Sequence, residues 1–361
     1  HTFLNFDTER GSSLVIFIRS EFYDLFPEPP ETVYRGKVIR VRGFVSEFRG
    51  TPQIAVSRPD AIQVLPGDAP LPAVTSRPAT RGAGRVPIGD TVTIGSYNVL
   101  NLFDAVDDPY TADEGTPAKP REQIEALARS IRRLDADVLA VIEVENRGVL
   151  QHLVDAFLAD MGYEVVLFEG NDMRGIDVGV LSRLPVGHVK SHRHLRFPDE
   201  QQRMIRFQRD LLEVRIAPPN APPFDVFVVH YKSKGGDENG GFDIRLGEAR
   251  QTRRILDDVL SQRPDARFVV CGDFNDTIDS EPVRTVIGSG PTALVAFVDQ
   301  LAPEETITFN LPPYLSLIDF IFASSAMAER YVARSYRVMV GGSPETTGSD
   351  HNPVIAQFRI D

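Results

Sequence analysis

Apolar residues along this chain fall into short runs, several of which end in a residue suited to bind metal or move a proton. Those endings come in the order Asn98, Glu143, His230, Asp273 with Asn275, and Asp350-His351. A continuous or alternating apolar run reads as a buried strand, and a carboxylate or imidazole at its end is costly to bury without a partner or a cation. The repetition predicts that these ends gather along one edge of a sheet.

Between the runs the apolar spacing becomes helical. Ile124, Leu127, Ile131 and Leu134 predict one helix, Leu150, Leu153, Val154, Phe157 and Leu158 a second, and Ile255, Leu256 and Val259 a third. Strands are expected at Val138 to Ile142, Val178 to Leu181, Leu211 to Ile216, Val226 to Val229, Phe268 to Cys271 and Ile318 to Phe322. Strands alternating with amphipathic helices give an α/β or α+β domain over residues 88–361.

Residues 1–66 read differently, as short strands separated by turns, clearest at Ser13 to Ile18 and Gly36 to Val45. In the second run apolar and basic residues alternate, which leaves Lys37, Arg40 and Arg42 in water. Phe48 to Ile54 adds a turn and a further strand, so the segment is expected to form a small β-barrel-like module. Residues 67–87, rich in Pro, Gly, Ala, Arg and Thr, bury too little apolar surface to order themselves and read as a linker.

At 361 residues the chain suits two domains. The formal net charge of -12 excludes a protein that holds nucleic acid by bulk positive potential, while leaving room for a local basic strip. A single cysteine permits no intrachain disulfide, and Cys271 is expected in the core. Nothing approaches the roughly 20 apolar residues of a membrane span, so no membrane insertion is expected. The chain opens at His1 without an initiator Met, and removal of an export signal, with an extracellular or periplasmic location, is the expectation; the cysteine usage fits the cytoplasm equally.

The chemistry starts at Gly272-Asp273-Phe274-Asn275, where the glycine lets the chain turn so that Asp273 and Asn275 face one point. A carboxylate beside an amide can accept a proton while the amide binds a water or phosphoryl oxygen; an Asx-type turn is the structural alternative. Asp350 next to His351 places a hard oxygen ligand beside an imidazole, and a capped turn is again the alternative. Asp319, inside an apolar run, needs a partner, and a histidine suits it.

Together Ser96-Tyr97-Asn98, the Glu143 segment, His230 with Lys232-Ser233-Lys234, Gly272 to Asn275, Ile318-Asp319 and Ser349-Asp350-His351 resemble the endonuclease/exonuclease/phosphatase superfamily, in that family's order. With the front module, the chain looks most like multidomain bacterial extracellular nucleases of that superfamily. The resemblance implies a four-layer sandwich of two mixed β-sheets flanked by helices, preceded by an OB-fold-like module. It implies Asn98, Glu143 and Asp350 as holders of Mg²⁺ or Mn²⁺, and Asp273 with Asn275 as the residues that orient and activate water. His351 and His230 would contact phosphate, with Asp319 holding the His351 tautomer. The sequence departs from the pattern at Ile142, where the family usually has Gln, and Glu145 stands in reserve as a ligand. Arg209 resembles a phosphate-contacting arginine, with a solvated strand-end charge as the alternative, and Asp177 stands where it would support His230, with a turn cap as the alternative; in the loop after His230, Lys232 and Lys234 are expected to contact substrate, and a solvated loop, Arg245 included, is the alternative.

Weaker signals remain. Asp237, Asn239 and Asp243 form an incomplete calcium-loop spacing, so a solvated loop is the favoured reading and a structural Ca²⁺ the alternative. His192 and His194 share a face if extended, but Lys190, Arg193 and Arg196 discourage a cation and favour a surface segment. The front module either binds nucleic-acid strands, with Phe44, Phe48, Arg42 and Arg49 as the stacking and phosphate candidates, or is a structural appendage. No exposed apolar hairpin for membrane docking is recognisable. The leading expectation is a divalent-metal-dependent nuclease acting on DNA or RNA with little sequence preference. A phosphatase or phosphodiesterase of inositol phosphates, phospholipids or nucleotides is the alternative, and a degenerate binding protein would have no reason to keep this set of residues. Oligomeric state is not legible.

Overall fold

The computed structural model describes residues 90–360 apart from 107, 109, 110 and 236–238. Before them it describes 2–5, 15–18, 22, 23, 26, 28–37, 39–41, 45–48, 51–56 and 59–64. The chain divides into two compact units, within residues 1–78 and 79–361.

In the first unit, strands β1 (Thr2–Asn5), β2 (Val15–Ile18), β4 (Val45–Phe48) and β5 (Thr51–Val56) form one sheet in the order β1-β2-β5-β4. Strands β3 (Ile39–Val41) and β6 (Ile62–Val64) form a separate antiparallel pair, and a short helix α1 spans Pro30–Tyr34. Ile16, Ile18, Phe26, Tyr34, Ile54, Val56 and Ile62 make its small core. The run expected from Gly36 to Val45 is therefore divided, and the described residues form two sheets. Arg42, Phe44, Arg49, the side chain of Phe48 and the segment 67–87 lie outside the described residues.

The second unit carries β7 (Thr91–Leu102), α2 (Arg121–Leu134), β8 (Val138–Val144), α3 (Arg147–Phe157), β9 (Glu164–Leu167), β10 (Asp177–Ser182) and β11 (Val186–Ser191). There follow the short pair β12 (Phe197–Pro198) and β13 (Met204–Ile205), then β14 (Leu211–Ile216), β15 (Phe224–His230), α4 (Phe242–Gln262), β16 (Phe268–Asp273) and α5 (Glu281–Ile287). The chain closes with β17 (Asp319–Ala323), α6 (Ser325–Ala328), β18 (Arg337–Val338), α7 (Pro344–Thr347) and β19 (Val354–Arg359). A six-stranded mixed sheet runs β18-β19-β7-β8-β10-β9, and a five-stranded one runs β11-β14-β15-β16-β17.

Alternation decides which side chains meet. In β15, Val226 and Val228 join Ile94, Ile142, Cys271, Ile321 and Ala356 in the core between the two sheets. Phe227 and Val229 point the other way, to meet Leu256, Val283 and Phe268 beneath α4 and α5. Leu127 and Ile131 of α2 and Leu150 and Leu153 of α3 cover the outer face of the larger sheet. The result is a helix, sheet, sheet, helix sandwich, with both mixed sheets buried on two faces.

Topology then gathers the polar ends. β7 and β8 pair in parallel, as do β15 and β16, so Glu143, His230 and Asp273 arrive at or next to carboxyl ends, with Asn98 inside β7 opposite Ile142. β17 runs antiparallel to β16, and β19 antiparallel to β7, so Asp319 at the start of one and His351 just before the other reach the same edges.

Candidate active site

Asn98 lies within β7 rather than at its end, but regular pairing to β8 breaks after it, and Leu100 and Asn101 turn into left-handed conformations (φ 51° and 46°). The buried Asn98 side chain donates from Nδ2 to Glu143 Oε1 and to Asp273 Oδ2, each at 3.1 Å, which joins the two sheets at the site. Its Oδ1 accepts the Leu100 N–H at 3.1 Å. Glu143 sits at φ 68°, and its Oε2 accepts the Asn101 N–H at 3.1 Å.

Asp273 is the hub. Its Oδ2 lies 3.7 Å from His230 Nε2 and 3.9 Å from His351 Nε2, while its Oδ1 accepts the Asn275 N–H at 2.8 Å. Asn275, at φ 52°, donates from Nδ2 to Tyr231 O at 3.0 Å. Across the β16–β17 ladder Asp319 opposes Asp273, and Asp319 Oδ2 holds His351 Nδ1 at 2.8 Å. The Thr308 hydroxyl accepts the N–H groups of Ile318 and Asp319, and the Ser349 hydroxyl accepts that of His351 while donating to Asn98 O at 2.6 Å.

The two histidines are held in opposite states. Burial, helped by Arg209 and His351, pulls His230 well below its ordinary pKa, so it is a neutral ring; its Nδ1 is buried without a hydrogen-bond partner. Burial also acts to lower His351, but the charge and hydrogen bond of Asp319 override it and raise that ring to about 10. Burial, reinforced by Asp319, pushes Asp273 up to about 7. A proton-accepting Asp273 and a protonated His351 therefore coexist between about 7 and 10, so activity is expected to rise through the first value and fall towards the second. A bound cation would move the acid limb to lower pH. In Asp319→Asn the alkaline limb of the kcat/KM profile should move to lower pH; an unmoved limb would refute the pairing.

Asp273, Asp319 and His351 bring one donor atom each within 4.8 Å of the others, the geometry of a metal cluster. A protonated His351 already supplies a cation between those two carboxylates. The residues expected to hold metal, Glu143, Asp350 and Asn98, provide hard oxygen donors beside them. Asp350 fits that role: burial, with Glu143 adding, raises its carboxyl, and its buried Oδ1 has no hydrogen-bond partner. Lys119, which the sequence reading missed, donates to Leu100 O at 2.7 Å, and burial pulls it down to about 8 against the pull of Asp350 and Glu143. It sits in a polar loop before α2 with no periodicity to mark it.

Other expected residues fall in different places. Arg209 is buried beside the site, with Nε 3.1 Å from Asp172 Oδ2 and Nη1 3.4 Å from Tyr231 O. Asp177 is not the partner of His230: its Oδ1 accepts the Gly170 N–H at 2.6 Å, and burial together with Glu169 pushes its carboxyl well above the usual range. The carboxyl is used to fasten the 169–170 turn, an arrangement set by chain folding that sequence spacing does not reveal. Glu145 accepts the Asp104 N–H at 2.8 Å and faces Asp104, Asp108 and Asp113 instead of Glu143.

Lys232 Nζ donates to Gly235 O at 3.4 Å, and Lys234 pairs with Asp276 at 2.8 Å, beside Arg245, whose Nε reaches the same carboxylate at 3.0 Å. Asp237 lies outside the described residues, and Asp243 accepts from Gln201 Nε2 at 2.6 Å. His192 is buried against Glu213 at 3.1 Å, not on the surface, while His194 is exposed and accepts from Arg193. Cys271 is buried, as expected.

One feature overturns an expectation. Residues 309–316 form an apolar hairpin closed by a Phe309–Ser316 bridge, and its Leu311, Tyr314 and Leu315 are 47%, 71% and 48% exposed. Its base is fixed at the site: the Phe309 ring lies 5.1 Å from the His351 ring, and Asn310 N donates to Asp350 O at 2.8 Å. Prolines and short length hide it in the sequence. Among the described residues no helix is long and apolar enough to cross a membrane.

The pattern of the Endonuclease/Exonuclease/phosphatase family matches residues 93–341, more than half of the chain. No curated protein matches in sequence. Among solved structures, the human Nocturnin catalytic domain superposes with a TM-score of 0.54 at 17% identity, covering 76% of this chain and 97% of its own. ANGEL2, described as a 2',3'-cyclic phosphatase, gives 0.55 at 16%, covering 75% and 96%. TDP2 from C. elegans gives 0.51 at 14%, covering 74% and 75%. At these identities the likeness is one of fold. The chain belongs to the endonuclease/exonuclease/phosphatase family of hydrolases acting on phosphoester bonds.

Proposed function

We propose that the chain is a divalent-metal-dependent nuclease that cleaves phosphodiester bonds of DNA, or RNA, with little sequence preference, by in-line attack of water. The observation that carries the chemistry is Asp273, buried and poised near neutrality between Asn98, His230, His351 and Asn275. Asp273 takes the proton of the attacking water, and Asn275, its Nδ2 engaged by Tyr231 O, turns its oxygen to that water. His351, held by Asp319 and protonated, donates from Nε2 to a phosphoryl oxygen. Neutral His230 donates a weaker hydrogen bond, and Arg209 adds fixed positive charge. Glu143, Asp350 and Asn98 would hold a divalent cation, which would neutralise charge on the phosphoryl group and on the departing oxygen, a particular need in a protein of net charge -12.

The test incubates the purified chain with plasmid, single-stranded DNA, RNA and a small phosphodiester, with and without chelator. ANGEL2 is named a 2',3'-cyclic phosphatase, so a cyclic nucleotide belongs in the panel. Polynucleotide cleavage lost on chelation is expected, and Asp350→Asn should raise the cation concentration for half-maximal rate by about tenfold. Turnover of the small ester alone would sink the nuclease reading.

The exposed hairpin at Leu311, Tyr314 and Leu315 favours a second reading, a phosphodiesterase of phospholipids, because it would set apolar contacts beside His351. The net charge of -12 opposes adsorption on an anionic bilayer, which keeps this reading second. Phosphate-ester release from phospholipid vesicles, absent from polynucleotide, would reverse the order.

A further inference from the structure

We propose that Glu248 is a positioning residue for hydrolysis, one carboxylate that fixes the two chain segments carrying Arg209 and Asn275's anchor. The inference rests on the phosphoester-hydrolase reading of the site. Glu248 lies on α4 and is wholly buried. Its Oε1 accepts the Gln208 N–H at 2.7 Å and its Oε2 the Lys232 N–H at 2.9 Å.

Those two amides belong to functionally charged neighbourhoods. Gln208 immediately precedes Arg209. Lys232 follows Tyr231, whose carbonyl accepts from Asn275 Nδ2 at 3.0 Å and from Arg209 Nη1 at 3.4 Å, and Tyr231 in turn follows His230. A shift of either segment would therefore move the phosphate-facing guanidinium and the water-facing amide together. The second half of the clamp is Arg245, one turn earlier on the same helix, which donates to Lys232 O and Gly240 O, each at 2.9 Å. Lys232 is thereby held by its N–H and its carbonyl from one helix.

The residue type follows from the geometry. Two converging N–H donors need two acceptor oxygens, which a carboxylate has and a side-chain amide lacks. Burying that carboxylate is costly, and burial pushes it up to about 7 even though Arg209 and Arg245 face it and oppose the shift. Tyr231, the other titratable neighbour, directs its hydroxyl to Thr252 Oγ1 at 2.8 Å. A core position would be filled more cheaply by an apolar side chain, so the cost points to the held segments.

Glu248→Gln keeps shape and one acceptor. It is expected to lower kcat/KM by about tenfold, chiefly through kcat, on the polynucleotide that the wild-type chain cleaves. In an Arg209→Ala background the same change should cost clearly less than about tenfold, because one of the two groups it positions is gone and only the Asn275 anchor remains to be held. Equal losses in the two backgrounds would show a general structural role and overturn the proposal, as would no loss in either. Amide hydrogen exchange in the unmodified chain decides the matter if Glu248→Gln does not fold. Slow exchange at both Gln208 and Lys232, which lie outside regular strands, is expected; fast exchange at both would overturn the clamp. A wild-type chain inactive on every phosphoester would remove the functional reading and the catalytic part of this proposal, while the exchange result would still report on the clamp itself.

Discussion

Replacing Asp273 with Asn is expected to lower kcat by about a thousandfold and to leave the fold in place, the first loss being the typical contribution of a general base. Asn matches Asp in shape, so the buried position stays filled and Asn275 keeps an acceptor for its N–H. What disappears is the group that takes the water's proton. The stability effect runs the other way. Because burial raises Asp273 to about 7, its ionised form is the one the folded state disfavours; stability present at low pH is lost as pH rises through that value. The variant escapes that loss but turns an amide NH2 towards Asn98 Nδ2, which in the wild type donates to Asp273 Oδ2, so the two effects offset and at pH 8 its urea midpoint should lie close to that of wild type.

His351→Ala is the informative contrast, since it removes a ring raised to about 10 and leaves Asp319 buried without its partner. The stability that His351 contributes is fully present below about 6.5 and declines as pH rises towards 10. Its variant should therefore lose both rate and urea resistance near neutral pH. Single-turnover cleavage and urea unfolding on the two variants separate the roles. Rates near wild type in both would sink the catalytic assignment.

Gly272→Ala is expected to be among the most destabilising single substitutions in the second unit, at about 3 kcal/mol or more. Gly272 adopts φ 141°, and a Cβ there would stand 1.9 Å from Val229 O of the paired strand. The atoms it meets are backbone atoms of Val229 in a paired strand, so they cannot swing aside as a side chain would. Relief requires the β15–β16 pair to separate, and that pair delivers His230 and Asp273 in register. For a domain of this size the melting temperature should fall by roughly 6–12 °C. An alanine variant melting within a degree or two of wild type would show that the ladder can yield there.

Much of the site was legible because burial makes polar strand ends conspicuous. Asn98, Glu143, His230, Asp273, Asp319 and His351 each interrupt or terminate an apolar run, and the structure brings them to one edge. The strands and the three main helices follow from alternation and helical spacing, which are local properties. What stayed hidden depends on distant partners. Lys119 reaches the site from an aperiodic loop, and Asp177 turns to Gly170 and Glu169 because the chain folds back there. Lys234 is drawn to Asp276, and His192 is buried by Glu213 across a strand pair. The hairpin at 309–316 reads as a proline turn until its bridge is seen.

Glu143 has a consequence beyond ligand geometry. A β-carbon-bearing residue at φ 68° costs the fold on the order of 1 kcal/mol that glycine would not. Its neighbours in the cleft, Asn98 and Asp273, add buried polarity to that deficit. Selection for folding alone would erode this corner first, trading the glutamate for glycine and the aspartate for a neutral residue. A lineage released from catalysis should therefore drift towards a tougher, silent sandwich.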